Sequence, residues 1–195
     1  ASSIAGVPKV GGTLILNGGT WPLDGTTDAY QWLRDAVAIT GSTQSTYELT
    51  PEDLGKTISA RVTGAKGGFA TLAKTTASTP AVGAGALSNS EKPAIAGTPK
   101  VGSRLTASDG VWAPGGAAFR YQWLAGGAVV SGATTKTFAP TSAQLNKTMT
   151  VRVTASKDGF ATLSADSPAT SAVTGTAPKV LVNSKAPHIP TNALV

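Results

Sequence analysis

The sequence contains no cysteine and a single histidine among its 195 residues. The lack of cysteine excludes disulfide bonds, thiolate catalysis, zinc fingers and iron–sulfur clusters. One histidine is too few for a metal site or a proton relay built from several imidazoles. Charged residues make up 13% of the chain, which is about half the usual share. The sequence therefore predicts a globular protein that is polar mainly through Ser and Thr and that has no cofactor.

The chain is basic, with 16 Lys and Arg against 10 Asp and Glu and a formal net charge of +6. These cations are scattered singly, whereas a nucleic-acid surface gathers them into a patch, so no nucleic-acid partner is expected. No apolar run approaches the roughly 18 residues of a membrane helix, so no membrane insertion is expected. Ala1 to Ser3 show no charged start followed by an apolar stretch, and the sequence as given therefore predicts no export signal.

An internal repeat with a period of 91 residues dominates the chain. Of the 79 pairs that align residues 4–82 with residues 95–173, 34 are identical, and the alignment needs no gap. A period of this length is too long for a solenoid repeat and suits a small complete domain. The boundaries predicted from it are a first domain over 1–82, a linker over 83–94, a second domain over 95–173 and a segment over 174–195. The Gly, Ala and Ser of the linker are typical of a flexible or semi-flexible connection.

Within each repeat the pattern is that of short β-strands. Runs rich in Val, Ile, Thr and aromatic residues alternate with Gly and Pro every 8 to 12 residues or so, which is typical of an all-β sandwich. Tyr30 and Trp32 fall on one face of a strand by the two-residue alternation, and Tyr121 and Trp123 repeat the pattern. The sequence therefore predicts about seven strands per repeat, with these aromatic residues in the core.

The first repeat contains five spaced motifs, namely Pro8-Lys9-Val10-Gly11, Gly19-Thr20-Trp21, Tyr30-Gln31-Trp32-Leu33-Arg34-Asp35, Tyr47-Glu48-Leu49-Thr50 and Asp53-Leu54-Gly55-Lys56-Thr57-Ile58. These motifs resemble the immunoglobulin-like (Ig-like) repeats found along surface proteins and secreted hydrolases of actinobacteria. The second repeat keeps most of them, but Ala125 and Gly126 replace Arg34 and Asp35. The resemblance implies two tandem Ig-like β-sandwiches with an extended C-terminal tail, an accessory extracellular role and no catalytic residues.

A catalytic or metal site present in both repeats should leave acidic residues at matching positions. Every Asp and Glu of the first repeat instead aligns with a residue that is not acidic in the second, which argues against a duplicated glycosidase or calcium site. Asp24 and Asp28 could form a calcium pair, but a solvated loop explains them as well. His188 lies outside both repeats, so a nucleophile–histidine triad is not expected and the chain is not predicted to be an enzyme.

Two matched pairs of residues are the candidates for surface binding. Trp21 and Trp112 each follow a glycine-containing loop, where an exposed indole could stack on a sugar ring or could instead close the open end of the sandwich. Lys66 and Lys157, with the other matched cations, could attract cell-wall polymer or acidic polysaccharide. Their alternative role is to keep the protein soluble and to protect strand edges from aggregation.

The last 22 residues are too few for a third sandwich. They could begin a further repeat, because Lys185-Ala186-Pro187-His188-Ile189 loosely resembles Lys92-Pro93-Ala94-Ile95. Alternatively, Val180, Leu181 and Val182 could add as a strand to the exposed sheet edge of a neighbouring subunit. Self-association through the tail is therefore a second partner prediction.

The function predicted from the sequence is a noncatalytic spacer or surface-display unit of a bacterial secreted or cell-surface protein. The first alternative is a module that binds carbohydrate, the cell wall or a host surface. The second is a structural subunit of an extracellular filament or phage particle that uses its tail for strand addition. An extracellular or cell-surface location is implied by the family resemblance alone.

Overall fold

A computed structural model describes residues 2–175, and these residues are almost entirely β-strands and loops. The first repeat contains β1 (Ser3–Ala5), β2 (Thr13–Asn17), β3 (Thr27–Arg34), β4 (Val37–Ala38), β5 (Thr46–Glu48), β6 (Ile58–Ala65) and β7 (Leu72–Thr75). Two short strands follow, β8 (Gly85–Ala86) and β9 (Ser88–Glu91). The second repeat contains β10 (Ile95–Ala96), β11 (Leu105–Ala107), β12 (Val111–Ala113), β13 (Ala118–Ala125), β14 (Ala128–Val129), β15 (Thr137–Phe138), β16 (Met149–Ser156), β17 (Phe160–Ala161) and β18 (Leu163–Asp166).

Each repeat folds into two facing sheets. In the first repeat one sheet has the order β1-β2-β5 and the other β4-β3-β6-β7. The second repeat has the equivalent sheets β10-β11-β15 and β14-β13-β16-β18. In both repeats a final segment also pairs in parallel with the loop after the first strand, at Lys9 with Gly83 and at Lys100 with Thr174. This arrangement confirms the prediction of two tandem Ig-like β-sandwiches.

The core of each repeat forms between its sheets around one tryptophan. Trp32 and Trp123 are fully buried, and each indole N–H donates a 2.9 Å hydrogen bond to a backbone carbonyl, that of Gln44 or Thr135. Along β6 and β16 every second side chain is buried, as a strand with one face in the core requires. Apolar packing and hydrogen bonds therefore hold the sheets together in a chain that has no disulfide.

Residues 83–94, predicted as a linker, include both β8 and β9. β8 pairs in parallel with β17, and β9 pairs antiparallel with β12. Between these two strands, Leu87 is buried in the core of the second repeat. The segment is thus built into the second sandwich. The candidate assembly residues Val180, Leu181 and Val182 lie outside the described residues.

Nowhere in residues 2–175 does the chain form a helix with the length and apolar character needed to cross a membrane. The only helices in that range are two single-turn 3-10 helices, Pro51–Asp53 and Ser142–Gln144. Each follows a threonine, Thr50 or Thr141, and occupies the matching corner of its repeat.

Candidate functional site

An apolar groove lies at the end of the first repeat that faces away from the second, and we call it the outer groove. Its volume is about 310 Å³. It is lined by Trp21, Pro22, Leu23, Thr26, Gly64, Lys66, Phe69, Ala70 and Leu72. The side chains of Phe69 and Leu72 are 57% and 50% exposed. Two of the predicted binding residues, Trp21 and Lys66, therefore lie together in one groove.

Trp21 forms the inner wall of the outer groove. Its ring lies against Gly64 of β6, where an added Cβ would come within 2.6 Å of the indole. Gly64 has its backbone close to the ring because it carries no side chain. The indole N–H donates a 2.5 Å hydrogen bond to the Asp28 carboxylate. The ring packs on the core with one part still accessible, so Trp21 closes this end of the sandwich and also lines the groove.

Trp112 occupies the matching place in the second repeat but is only 8% exposed. It packs against Phe119 at a centroid distance of 6.0 Å, and its indole N–H donates to the Asp109 carbonyl oxygen at 2.7 Å. Stacking on a sugar requires an accessible ring face, which this ring does not offer. The structure places Trp112 as a lid, and sugar binding stays a prediction that involves Trp21 alone.

The structure brings an acidic residue beside this tryptophan in both repeats, although the two acids do not align in sequence. In the first repeat Asp28 of β3 accepts hydrogen bonds from Trp21 and, at 3.5 Å, from the Tyr30 hydroxyl. In the second, Asp109 of the loop before β12 accepts one from the hydroxyl of Tyr121. Comparison of aligned positions missed this pair because one acid comes from a strand and the other from a loop. In the sequence, only the aligned tyrosines Tyr30 and Tyr121 indicate that the two repeats share this hydrogen bond.

Burial and the neighbouring carboxylates shift the pKa of both tyrosines in the same direction. Burial, together with Asp28, raises the pKa of the Tyr30 hydroxyl. Burial, together with Asp109, raises the pKa of Tyr121. Each hydroxyl therefore stays protonated at neutral pH and acts as a hydrogen-bond donor. These hydrogen bonds tie the residues around the tryptophan to β3 in the first repeat and to β13 in the second.

The matched lysines play the same local role in both repeats. The Lys66 ammonium donates to the Asp24 carbonyl oxygen at 2.6 Å, and that of Lys157 donates to the Gly115 carbonyl oxygen at 2.5 Å. Each nitrogen also lies 5.9 Å from the ring centroid of the phenylalanine three residues later in its turn. These contacts tie the turn to the facing loop, and binding of an anionic polymer stays a prediction.

The two repeats meet at an apolar contact that we call the joint. Phe160 of the second repeat packs against the core of the first and lies beside Gly11 and Gly85. The Gly85 N–H donates to the Gly159 carbonyl oxygen at 2.9 Å. At Gly85 a side chain would collide with the Phe160 ring. The joint therefore consists of an inserted aromatic ring and a paired backbone.

Exposure of the equivalent residues shows what the joint covers. Val10 of the first repeat, beside the joint, is only 4% exposed. Its counterpart Val101, at the free end of the second repeat, is partly exposed. Likewise Phe160 is partly buried, whereas its counterpart Phe69 is exposed. The same residue types are thus covered at the joint and left open at the two outer ends of the pair.

A buried ion pair distinguishes the corner of the first repeat. The fully buried Asp53 carboxylate accepts hydrogen bonds from Arg34 Nε at 2.6 Å, from the Tyr47 hydroxyl at 2.9 Å and from the Thr50 N–H at 2.8 Å. Hydrogen bonding to Asp53 raises the pKa of Arg34, and burial raises the pKa of Tyr47. Because every polar atom of Asp53 is satisfied within the fold, the cluster is structural.

The second repeat fills the same corner with uncharged residues. Ala125, Phe138 and Gln144 stand at the positions of Arg34, Tyr47 and Asp53. The Gln144 side-chain oxygen accepts the N–H of Thr141 at 2.9 Å, which replaces one bond of the carboxylate. The ion pair is therefore not required by the fold itself.

The described residues hold no group of three or more His, Asp or Glu side chains that could bind a metal ion. Of the two aspartates considered for calcium, Asp28 bonds to Trp21 and Tyr30, and Asp24 accepts a hydrogen bond from Lys66 through its backbone carbonyl. His188 lies outside the described residues. The two candidate functional surfaces are therefore the outer groove and the joint.

Comparison with known proteins yields likenesses to solved structures only. Neither a protein-family model nor a curated protein matches the sequence. A solved structure described as "Tandem Ig repeats of Dlar" is similar at 12% sequence identity and a TM-score of 0.25, over 89% of this chain and 97% of that one. The chain itself, from its own sheets and strand order, is a tandem Ig-like module.

Proposed function

We propose that the chain is a noncatalytic spacer or surface-display unit of a bacterial extracellular or cell-surface protein. The observation that supports this proposal is the joint. A spacer must transmit position from one end to the other, and it can do so only if the connection between its domains resists bending. Phe160 packs against the core of the first repeat, and the connecting segment is paired at Gly83 with Lys9 of the first repeat and at β8 with β17 of the second.

The alternative of carbohydrate binding has weaker support. A repeated sugar site would need an accessible aromatic ring in each repeat, and Trp112 is a buried lid. The matched lysines are already bonded to backbone carbonyls. The bacterial and extracellular parts of the proposal depend on the sequence resemblance.

The stiffness of the joint can be measured as a distance distribution. Because the chain has no cysteine, spin labels attached to Val37→Cys and Val129→Cys report only those two exposed sites, one on each repeat. Pulsed electron–electron double resonance should give a single narrow distribution of the distance between the two labels when no further residue is changed. Phe160→Ser should broaden it, because the ring that fills the joint is lost.

The matched control for this experiment is Phe69→Ser, which removes the same side chain at the aligned position outside the joint. It should leave the distance distribution unchanged. A distribution that is already broad in the parent protein would contradict a rigid spacer. Equal broadening by both variants would contradict the role given to Phe160.

A further inference from the structure

The second repeat shows how an added segment completes this type of sandwich. Residues 85–91 run along its edge, where β8 pairs with Phe160–Ala161 and β9 pairs with Val111–Ala113. Leu87, between the two strands, is buried in the core cluster that also contains Trp112. The Asn89 side-chain N–H group donates to the Val111 carbonyl oxygen at 3.0 Å. One continuous segment thus provides two strand pairings and one apolar anchor.

The first repeat has the two corresponding edges without such a segment, and Pro22, which has no backbone N–H, replaces Ala113 in one of them. Its matching residues 20–22 and 69–70 form no strand, and no strand within residues 2–175 pairs with them. Trp21 is partly exposed where Trp112 is buried, and Phe69 and Leu72 stand open to solvent. The outer groove therefore lies where the second repeat holds Leu87 and its flanking strands.

The tail carries a second copy of the anchoring sequence. Leu87-Ser88-Asn89-Ser90-Glu91-Lys92-Pro93-Ala94-Ile95 aligns without a gap with Leu181-Val182-Asn183-Ser184-Lys185-Ala186-Pro187-His188-Ile189. The Leu, Asn, Ser, Pro and Ile positions are identical in the two segments. Leucine is the residue that enters the core in the second repeat, and asparagine is the one that bonds to β12. The tail thus has the two side chains that the outer groove requires.

We propose that residues 181–185 of one chain add as a strand to the outer groove of a second copy, with Leu181 seated against Trp21. The register of β9 on β12 pairs Val111 with Glu91, Trp112 with Asn89 and Ala113 with Ser88, with an irregularity between Val111 and Trp112 that leaves Ser90 without an opposite residue. Transferred to the groove, it sets Thr20 opposite Lys185 and Trp21 opposite Asn183. Backbone hydrogen bonds supply affinity in this mode of recognition, and the leucine pocket supplies specificity.

The donor must be a second copy because a chain cannot reach its own groove. β6 runs from the joint to the outer groove, and β16 runs between the joint and the end where the chain leaves the second repeat. Each strand has eight residues and spans roughly 26 Å, so the two far ends are roughly 37 Å apart even if the strands meet at a right angle. From Gly175 to Leu181 there are six residues, which extend over at most about 21 Å. Repetition of the contact therefore links copies head to tail. This inference is independent of the proposed spacer function.

Disulfide trapping tests the register directly, because the chain has no cysteine of its own. Two separately purified full-length proteins, Thr20→Cys and Lys185→Cys, are mixed under mild oxidation. Opposed residues in a sheet bring their Cα atoms within disulfide range, so a mixed disulfide between the two proteins should form. Its yield should exceed that of Val37→Cys mixed with Lys185→Cys by at least about tenfold.

Three further variants make each outcome decisive. Val111→Cys with Glu91→Cys in one chain should close an intramolecular disulfide at the template position, which shows that the oxidation works. Leu181→Asp in the Lys185→Cys protein should abolish the mixed disulfide, while Leu194→Asp, outside the matched segment, should leave it. Sedimentation velocity should show association of the parent protein that Leu181→Asp removes. Closure of the template disulfide without any mixed disulfide, or a parent protein monomeric at all concentrations, would overturn the proposal.

Discussion

Replacement of Asp53 by alanine should lower the free energy of unfolding of the first repeat by about 3 to 5 kcal/mol. The carboxylate is fully buried and is the common acceptor for Arg34, Tyr47 and Thr50. Its removal leaves a guanidinium that is only 26% exposed without its partner and leaves a buried hydroxyl without its acceptor. Such unpaired groups cost more than the original interaction contributed.

Hydrogen exchange of the full chain, followed by mass spectrometry, measures this change locally. Exchange should accelerate in β6 of the first repeat and stay unchanged in β16 of the second. The matched control is Gln144→Ala, which removes a neutral, surface-accessible cap and should cost about 1 kcal/mol or less. Similar losses from Asp53→Ala and Gln144→Ala would contradict the importance assigned to the ion pair.

The second repeat provides a rescue for the Asp53 variant. A triple variant, Arg34→Ala with Tyr47→Phe and Asp53→Gln, places in the first repeat the residues found in the second. Replacing all members of a buried charged cluster by a compatible neutral set is often close to neutral. The triple variant should therefore be more stable than Asp53→Ala alone. If it is less stable, the two corners are not interchangeable.

Trp123→Ala should destabilise the second repeat by about 3 to 5 kcal/mol, because it leaves a cavity the size of an indole in the core. The side chain is fully buried, stacks on Phe138 at a centroid distance of 5.6 Å and donates a hydrogen bond to the Thr135 carbonyl oxygen. The same loss is expected in the first repeat for Trp32→Ala, since Trp32 makes the equivalent stacking contact with Tyr47 at 5.5 Å.

Chemical denaturation monitored by circular dichroism, with hydrogen exchange to identify the repeat, measures the effect. Val129→Ala is the control, because this side chain is 64% exposed on an edge strand. It should change the stability by no more than about 0.5 kcal/mol. A Trp123→Ala protein that unfolds at the parent's denaturant concentration would contradict the central place of the indole.

The periodicity of the sequence predicted the strands of each sandwich. The alternation along Ile58, Ala60 and Val62 predicted which side chains are buried, since a strand in a two-layer sandwich has one face in the core. In β3 it predicted the buried Trp32, whereas Tyr30, predicted on the same buried face, is only partly buried. The 91-residue repeat predicted two copies of one fold. The family assignment and the surface-binding residues stay predictions, because they concern relatives and ligands and do not follow from packing.

Other features could not be read from the sequence because they arise from contacts between distant segments. The two acids that bond to the matched tyrosines stand at positions that do not align in sequence. Only folding brings Asp28 and Asp109 to equivalent places in their respective repeats. The residues predicted as a linker became strands because two edges of the second repeat were open to them.

Phe69 and Phe160 show most simply which properties follow from the sequence and which follow from tertiary packing. The amino-acid pattern made them equivalent, with the same turn, the same lysine and the same following strand residues. Three-dimensional packing made them different, because only Phe160 meets another domain. Local pattern determines strands, turns and buried faces through neighbours in the chain. Which apolar surface is covered and which stays open depends on what lies against it in space.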